Sequence, residues 1–153
     1  MKRVLVLSAV LFTAFTIETY ALGLGLQGGV GGSGGLSFLI SPNEQAHGAV
    51  TWNFDAGMLG GSVDYWFWNQ QLTALGPGQL SFFLGGGAYA EIVLGDSFGL
   101  DAGLRVPVGL DWRSGPVDVF LQIFPLIGLS LIPSPGFGGV NVGGSLGVRF
   151  WIN

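Results

Sequence analysis

Residues 98–112 read FGLDAGLRVPVGLDW, and every second residue of this stretch is apolar. The residues between them are glycine, proline and charged residues, among them Asp101, Arg105 and Asp111. Because successive side chains of a β-strand point to opposite faces, this period of two predicts a strand with one apolar and one polar face. Long two-faced strands are typical of a transmembrane β-barrel, in which lipid contacts the apolar face and the polar face lines the interior.

The same alternation recurs along the chain. It is found in residues 22–31, 35–41, 48–56, 60–68, 79–94, 117–131 and 140–152. Glycine-rich and polar turns separate these segments, with the longest connector at 69–78, and such short connections favour antiparallel neighbours. We therefore predict an all-β fold, an eight-stranded antiparallel up-and-down transmembrane β-barrel. Pro107 and Pro125 each remove a backbone donor inside a predicted strand, so a bulge or strand end is expected near them.

The N-terminus has the features of a secretory signal peptide. Two basic residues are followed by an apolar run from Val4 to Phe15 and then by small residues. This pattern predicts a cleaved signal peptide over residues 1–21, with Gly23 as the second choice of cleavage site. The alternative is a transmembrane helix anchor, but about a dozen apolar residues fall short of the ~20 that such a helix needs.

Composition favours lipid as the surroundings of the predicted barrel, residues 22–153. This part has no lysine and only three arginines against eight acidic residues, a net charge near −5, which argues against nucleic-acid binding. Only 9% of the whole chain is charged, whereas a soluble domain has about a quarter. The 29 glycines suit a narrow interior with room for few large side chains. The absence of cysteine excludes both a disulfide and a lipoprotein anchor.

Charged residues on the polar faces are the best candidates for a functional role. The hypothesised charge network of the lumen comprises Arg105, Arg149, Glu91, Asp101, Asp64, Asp111 and Asp118. An isolated buried charge costs several kcal/mol, so we expect Arg105 and Arg149 to be bridged by Glu91, Asp101 and Asp64. The network would be either a plug that fills the barrel or a gated, narrow polar path. A barrel of eight strands has room for little besides side chains, which favours the plug.

A two-residue turn at Ser114-Gly115 would connect the predicted strand 98–112 to the predicted strand 117–131. On that register Asp111 lies opposite Asp118, and Arg105 faces Phe124.

Tryptophans cluster at predicted strand ends. Trp66, Trp68, Trp112 and Trp151 are interpreted as an aromatic girdle near one rim, because tryptophan prefers the level of the lipid headgroups. Ordinary packing is the alternative.

Motifs of catalysis and cofactor binding are weak. His47 is interpreted as a solvated turn residue, and one histidine without cysteine makes a soft-metal site improbable. Residues 95–99, GDSFG, match a nucleophile elbow, but strands are predicted on both sides of it. Residues 23–28, GLGLQG, match the dinucleotide fingerprint without a following helix. We predict no catalytic residue, no cofactor and no metal.

Taken together, the chain resembles the small eight-stranded outer-membrane barrels of the OmpA/OmpX type over residues 22–153. Leader, alternation, strand count, girdle and the last strand, Gly143 to Asn153, carry the resemblance. Such proteins usually end in an aromatic residue, and this chain departs from that signal at Asn153. Residues 72–76 and 104–110 are similar to a poorly characterised group of small spirochaetal barrels. The resemblance implies an outer-membrane location and sometimes adhesion or envelope tethering.

The expected function is that of a non-enzymatic, monomeric outer-membrane protein with a structural or surface-interaction role. Its expected partners are outer-membrane lipid and, through the C-terminal strand, the barrel-assembly machinery. The presumed surface turns are short, so they offer little for recognition of a specific ligand. The alternatives are a lipid-modifying enzyme, a narrow pore, and a soluble barrel that holds an apolar ligand. The last of these would expose rows of leucine and valine to water.

Overall fold

The computed structural model describes residues 22–40, 45–94 and 98–152. These residues form β1 Leu22–Gly29, β2 Gly34–Ile40, β3 Ala46–Asn53, β4 Met58–Leu75, β5 Gly78–Leu94, β6 Phe98–Arg105, β7 Val108–Ser114, β8 Val117–Ile132 and β9 Gly136–Ile152. The described residues contain no helix that is long and apolar enough to cross a membrane. The predicted signal peptide, residues 1–21, lies outside the described residues, and so does the GDSFG serine, Ser97.

The strands form one antiparallel sheet that closes into a ring, because β1 pairs with β2 on one side and with β9 on the other. Both β6 and β7 pair with β5 and with β8, so they share one position between those two strands. The ring therefore has eight strand positions, occupied in chain order. The prediction of an all-β fold with antiparallel neighbours is confirmed, and the architecture is barrel-like.

The two prolines behave differently. As expected near Pro107, β6 ends at Arg105 and β7 begins at Val108. The expectation is wrong for Pro125, which lies inside an unbroken β8 and pairs with Val142. The Pro125 carbonyl accepts a hydrogen bond of 3.0 Å from the Val106 N–H, so the missing donor of Pro125 faces the gap between β6 and β7. The break between β6 and β7 therefore lies beside Pro125 of β8, at the point where β8 has no backbone N–H to donate.

The predicted connector at 69–78 is also wrong. Strand β4 continues to Leu75, and only Gly76 and Pro77 form the turn, in which Gly76 has a φ of 60°. Register shifts between Trp66 and Trp68 and between Gln71 and Thr73 interrupt the pairing of β4 with β5. Each irregularity breaks the strict period of two, which explains why the alternation ended early in the sequence pattern. On the other side of β4, the turn covers 54–57, which is earlier than the gap between the predicted segments 48–56 and 60–68.

The two faces of the ring have opposite polarity. Outward side chains are apolar and exposed, such as Leu104 at 68% and Val142 at 71% exposure. Inward side chains include charged groups with almost no exposure, such as Arg149 at 0% and Asp118 at 1%. The fold therefore encloses its charges and presents hydrocarbon on the outside, the reverse of a soluble domain.

Candidate functional site in the interior of the ring

Asp64 is buried inside the ring, and its carboxylate lies within ion-pair distance of side chains from two other strands. Its Oδ1 is 3.0 Å from Arg105 Nε, and its Oδ2 is 3.0 Å from His47 Nδ1. In the register, His47, Asp64, Gly87 and Arg105 form one lateral row across β3, β4, β5 and β6. Because Gly87 has no side chain, Arg105 can reach across β5 to Asp64. Of the three carboxylates that were expected to pair with Arg105, Asp64 is the one that does so.

His47 is not the solvated turn residue that the sequence suggested. It belongs to β3, is 1% exposed, and stacks on Trp66 with ring centroids 5.5 Å apart. Strand β3 begins two residues earlier than predicted, at Ala46, and this places the imidazole on the inward face. His47 Nε2 lies 3.2 Å from Ser37 Oγ, so Ser37, His47 and Asp64 form a chain of hydrogen bonds.

Arg149 forms a second buried ion pair, with Asp118. Arg149 Nη2 lies 2.8 Å from Asp118 Oδ2, to which Arg149 Nε donates a hydrogen bond of 3.0 Å. The two residues are direct neighbours in the register of β8 and β9. The guanidinium also lies over the Phe120 ring at 4.2 Å, a cation–π contact that favours its position inside the ring.

The predicted register around Asp111 is shifted. The turn consists of Gly115 and Pro116 rather than Ser114-Gly115. Asp111 therefore lies opposite Phe120, and the residue opposite Asp118 is Arg113. The predicted pairing of Arg105 with Phe124 is also wrong, because Arg105 lies opposite Leu126. Asp111 is 8% exposed and makes interactions inside the ring.

Two of the four girdle tryptophans are misassigned. Trp66 is fully buried and stacks on Phe83 at a centroid distance of 3.8 Å, and Trp151 is 6% exposed. Each lies two residues from an inward charged group of its own strand, so strand geometry turns it inward as well. Trp68 is 53% exposed, and Trp112 donates its Nε1–H to the Leu75 carbonyl at 3.0 Å. Only these last two can belong to an outward girdle.

The groups described so far lie toward the end of the ring that contains residues 22 and 152. The opposite end holds an open cavity of about 360 Å³. Its lining includes Glu91, Asp101, Tyr89, Arg105 and Phe124. Glu91 and Asp101 face each other in the register of β5 and β6, and among the described residues neither forms an ion pair with a basic group. These two expected arginine partners are therefore not part of the paired network.

The interior offers ion pairing, hydrogen bonding and a Ser–His–Asp chain, but little for a metal. Within the described ranges, no three His, Cys, Asp or Glu side chains converge as metal ligands. Sequence reasoning did not identify Ser37 or Phe83, because nothing along the chain marks which residues meet across the ring.

Replacing Gly87 with alanine should separate Asp64 from Arg105. A Cβ at this position would collide with Asp64 Oδ1 and with the Val63 carbonyl, so the free energy of unfolding should fall by about 1–3 kcal/mol. Gly28→Ala is the matched control, since nothing lies within 4 Å of a Cβ there. Urea unfolding in detergent micelles, followed by tryptophan fluorescence, measures both. Equal stability of the two variants would contradict this role of Gly87.

Removing Arg149 alone should destabilise the protein more than removing the whole pair. Arg149→Met leaves the Asp118 carboxylate buried without this partner, and breaking such a pair costs about 3–5 kcal/mol. The double variant Arg149→Met/Asp118→Asn should recover much of that loss, whereas Asp55→Asn, in an exposed turn, should change little. The same unfolding assay applies. A double variant as unstable as the single one would show that the pair is not coupled.

The chain matches no family model, no curated protein and no solved structure. The resemblance to OmpA/OmpX-type barrels therefore rests on the sequence pattern alone.

Proposed function

We propose that the chain is an integral outer-membrane protein with a structural or surface-interaction role and no enzymatic activity. In this proposal, export removes residues 1–21, and the ring is an eight-stranded up-and-down transmembrane β-barrel. The observation that carries the proposal is the reversed polarity of the two faces. Water would make such an exterior prone to association, whereas acyl chains would solvate it.

The length of several strands supports this proposal. The strands β4, β5, β8 and β9 have 18, 17, 16 and 17 residues. A tilted strand needs about 9–11 residues to cross a bilayer. A closed ring also satisfies the backbone hydrogen bonds between strands, which lipid requires because an unpaired polar group in hydrocarbon is costly.

Packing in half of the interior favours a plug over a narrow pore. The Trp66 and Phe83 rings and the Asp118–Arg149 pair fill the half nearer to residues 22 and 152. The side chains of that half have almost no exposure, whereas the opposite half keeps its cavity. We therefore propose a barrel closed at one end and open at the other.

The partners follow from this topology. The outward apolar rows would contact outer-membrane lipid, and β9 would present the C-terminal strand to the assembly machinery before it pairs with β1. Pairing of β1 with β9 joins the first strand to the last, so a monomer is proposed.

A lipid-modifying enzyme remains the second candidate because Ser37, His47 and Asp64 are linked in the order of a hydrolase triad. A nucleophile must also reach its substrate. Ser37 is 1% exposed, and it is not among the residues that line the cavity. The hydrogen-bond chain is therefore better explained as satisfaction of buried polar groups.

Spin labels test the membrane proposal. Single-cysteine variants are simple to make because the chain has no cysteine. Labels at Leu104 and Leu121 should collide with dissolved oxygen rather than with a water-soluble nickel chelate, and a label at Asp55 should show the opposite. In parallel, the protein should fractionate with the outer membrane and change its gel mobility on boiling. Nickel accessibility at Leu104 and Leu121 would overturn the proposal.

A fluorophosphonate probe tests the enzymatic alternative. The wild type in detergent should be labelled no more than Ser37→Ala, because the hydroxyl is enclosed. An unrelated serine esterase in the same detergent is the positive control. Labelling that disappears in both Ser37→Ala and His47→Ala would establish a reactive serine and favour the enzyme.

A further inference from the structure

We propose that the open cavity binds a small, extended zwitterion, with its ammonium group at Glu91 and Asp101 and its carboxylate at Arg105. This inference goes beyond the proposed function and does not depend on it, since binding can be measured on protein folded in detergent. Three features of the cavity support it.

The first feature is the pair of carboxylates. Glu91 and Asp101 lie directly opposite each other on neighbouring strands, and both line the cavity. Like charges in this position destabilise a sheet. In the described part of the chain, no basic side chain forms an ion pair with either of them. An ammonium group between the two would offset their repulsion and donate hydrogen bonds to both carboxylates.

The second feature is the incomplete pairing of Arg105. Its side chain is 92% buried and lines the cavity, and its Nε is directed to Asp64. The Phe124 ring lies 3.8 Å from its Cζ and fixes the guanidinium plane. Nη2 has no hydrogen-bond partner in the part of the chain that the structure describes. A buried donor without an acceptor is unfavourable, and a guanidinium suits a carboxylate best.

The third feature is the spacing between these charged groups. Asp101 and Arg105 lie on β6, four residues apart, and a rise of about 3.4 Å per residue separates their Cα atoms by about 14 Å. Tyr89 lies between them, opposite Gly103, where a Cβ would meet the ring at 2.8 Å. The absence of a side chain at Gly103 lets this ring lie against the wall. The ligand must therefore carry its two charges several ångströms apart, as in an ω-amino acid or a short peptide.

A metal ion fits these features less well. Only two carboxylates converge here, and no group of three candidate metal ligands exists among the described residues. A metal would also leave the Arg105 donor unmet. The cavity volume of about 360 Å³ lies within the range of small-molecule sites, about 300–1,000 Å³.

Titration calorimetry with 6-aminohexanoate tests the proposal on detergent-folded protein. Saturable binding at one site is expected, and Glu91→Gln/Asp101→Asn should weaken it at least about tenfold, the usual effect of losing a charge-assisted contact. Asp55→Asn, which removes a carboxylate in the exposed turn 54–57, should bind as the wild type does. The absence of saturable binding, or equal affinity of the double variant and the wild type, would overturn the proposal.

Two probes with a single charge test the arginine end without altering Arg105, whose removal would leave Asp64 without its ion-pair partner. Hexylamine lacks the carboxylate and hexanoate lacks the ammonium group, so each should bind at least about tenfold more weakly than 6-aminohexanoate. Hexylamine binding as tightly as 6-aminohexanoate would reduce the site to an acidic one and overturn the assignment of Arg105. Failure of the membrane assays would leave these results unaffected.

Discussion

Ring closure between β1 and β9 is the constraint on which the rest of the structure depends. Once the sheet closes, every second residue in the part of each strand that is paired on both sides lies in a narrow enclosed space, whatever its chemistry. Ten polar or charged residues are buried in the described part of the chain, and a buried polar group is costly unless it has a partner. Asp64 shows the solution most clearly, because one carboxylate connects β3, β4 and β6 through His47 and Arg105.

Small residues make that crowding possible. Several large inward side chains have a glycine as their direct neighbour on the next strand. The pairs are Trp66 with Gly85, Tyr89 with Gly103, Phe120 with Gly147, Phe124 with Gly143 and Arg149 with Gly25. Each large group covers the strand beside it, and alternation of large and small residues fills a narrow interior without strain. The high glycine content is therefore part of the packing rather than only a source of turns.

The alternation of apolar and polar residues was sufficient to predict the all-β fold, the antiparallel order and the inward charges. It was insufficient wherever the period was broken or where contacts cross the ring. The bulge after Trp66 interrupts the alternation, so the sequence pattern does not predict the second half of β4. Strand β3 begins two residues before its predicted start, and His47 was therefore predicted to lie in a turn. Trp66 and Trp151 were predicted to face lipid because tryptophan is common in girdles. Each lies two residues after an inward charged residue, Asp64 or Arg149, and therefore faces inward as well. The register of Asp111 depended on a single turn, and a shift of one residue in that turn changed its neighbour.

The distribution of charge divides the interior into two unlike halves. Asp64 is matched by Arg105, and in the closed half Asp118 is matched by Arg149, so these buried charges are balanced. In the open half, Glu91 and Asp101 have no basic partner among the described residues, and hydration from the mouth of the cavity lowers the cost of their charges. A protein that needed only a filled barrel would gain nothing from acidic groups there, since apolar or neutral residues would fill the space without repulsion. The imbalance is therefore more consistent with a mouth that receives a cationic group than with simple filling.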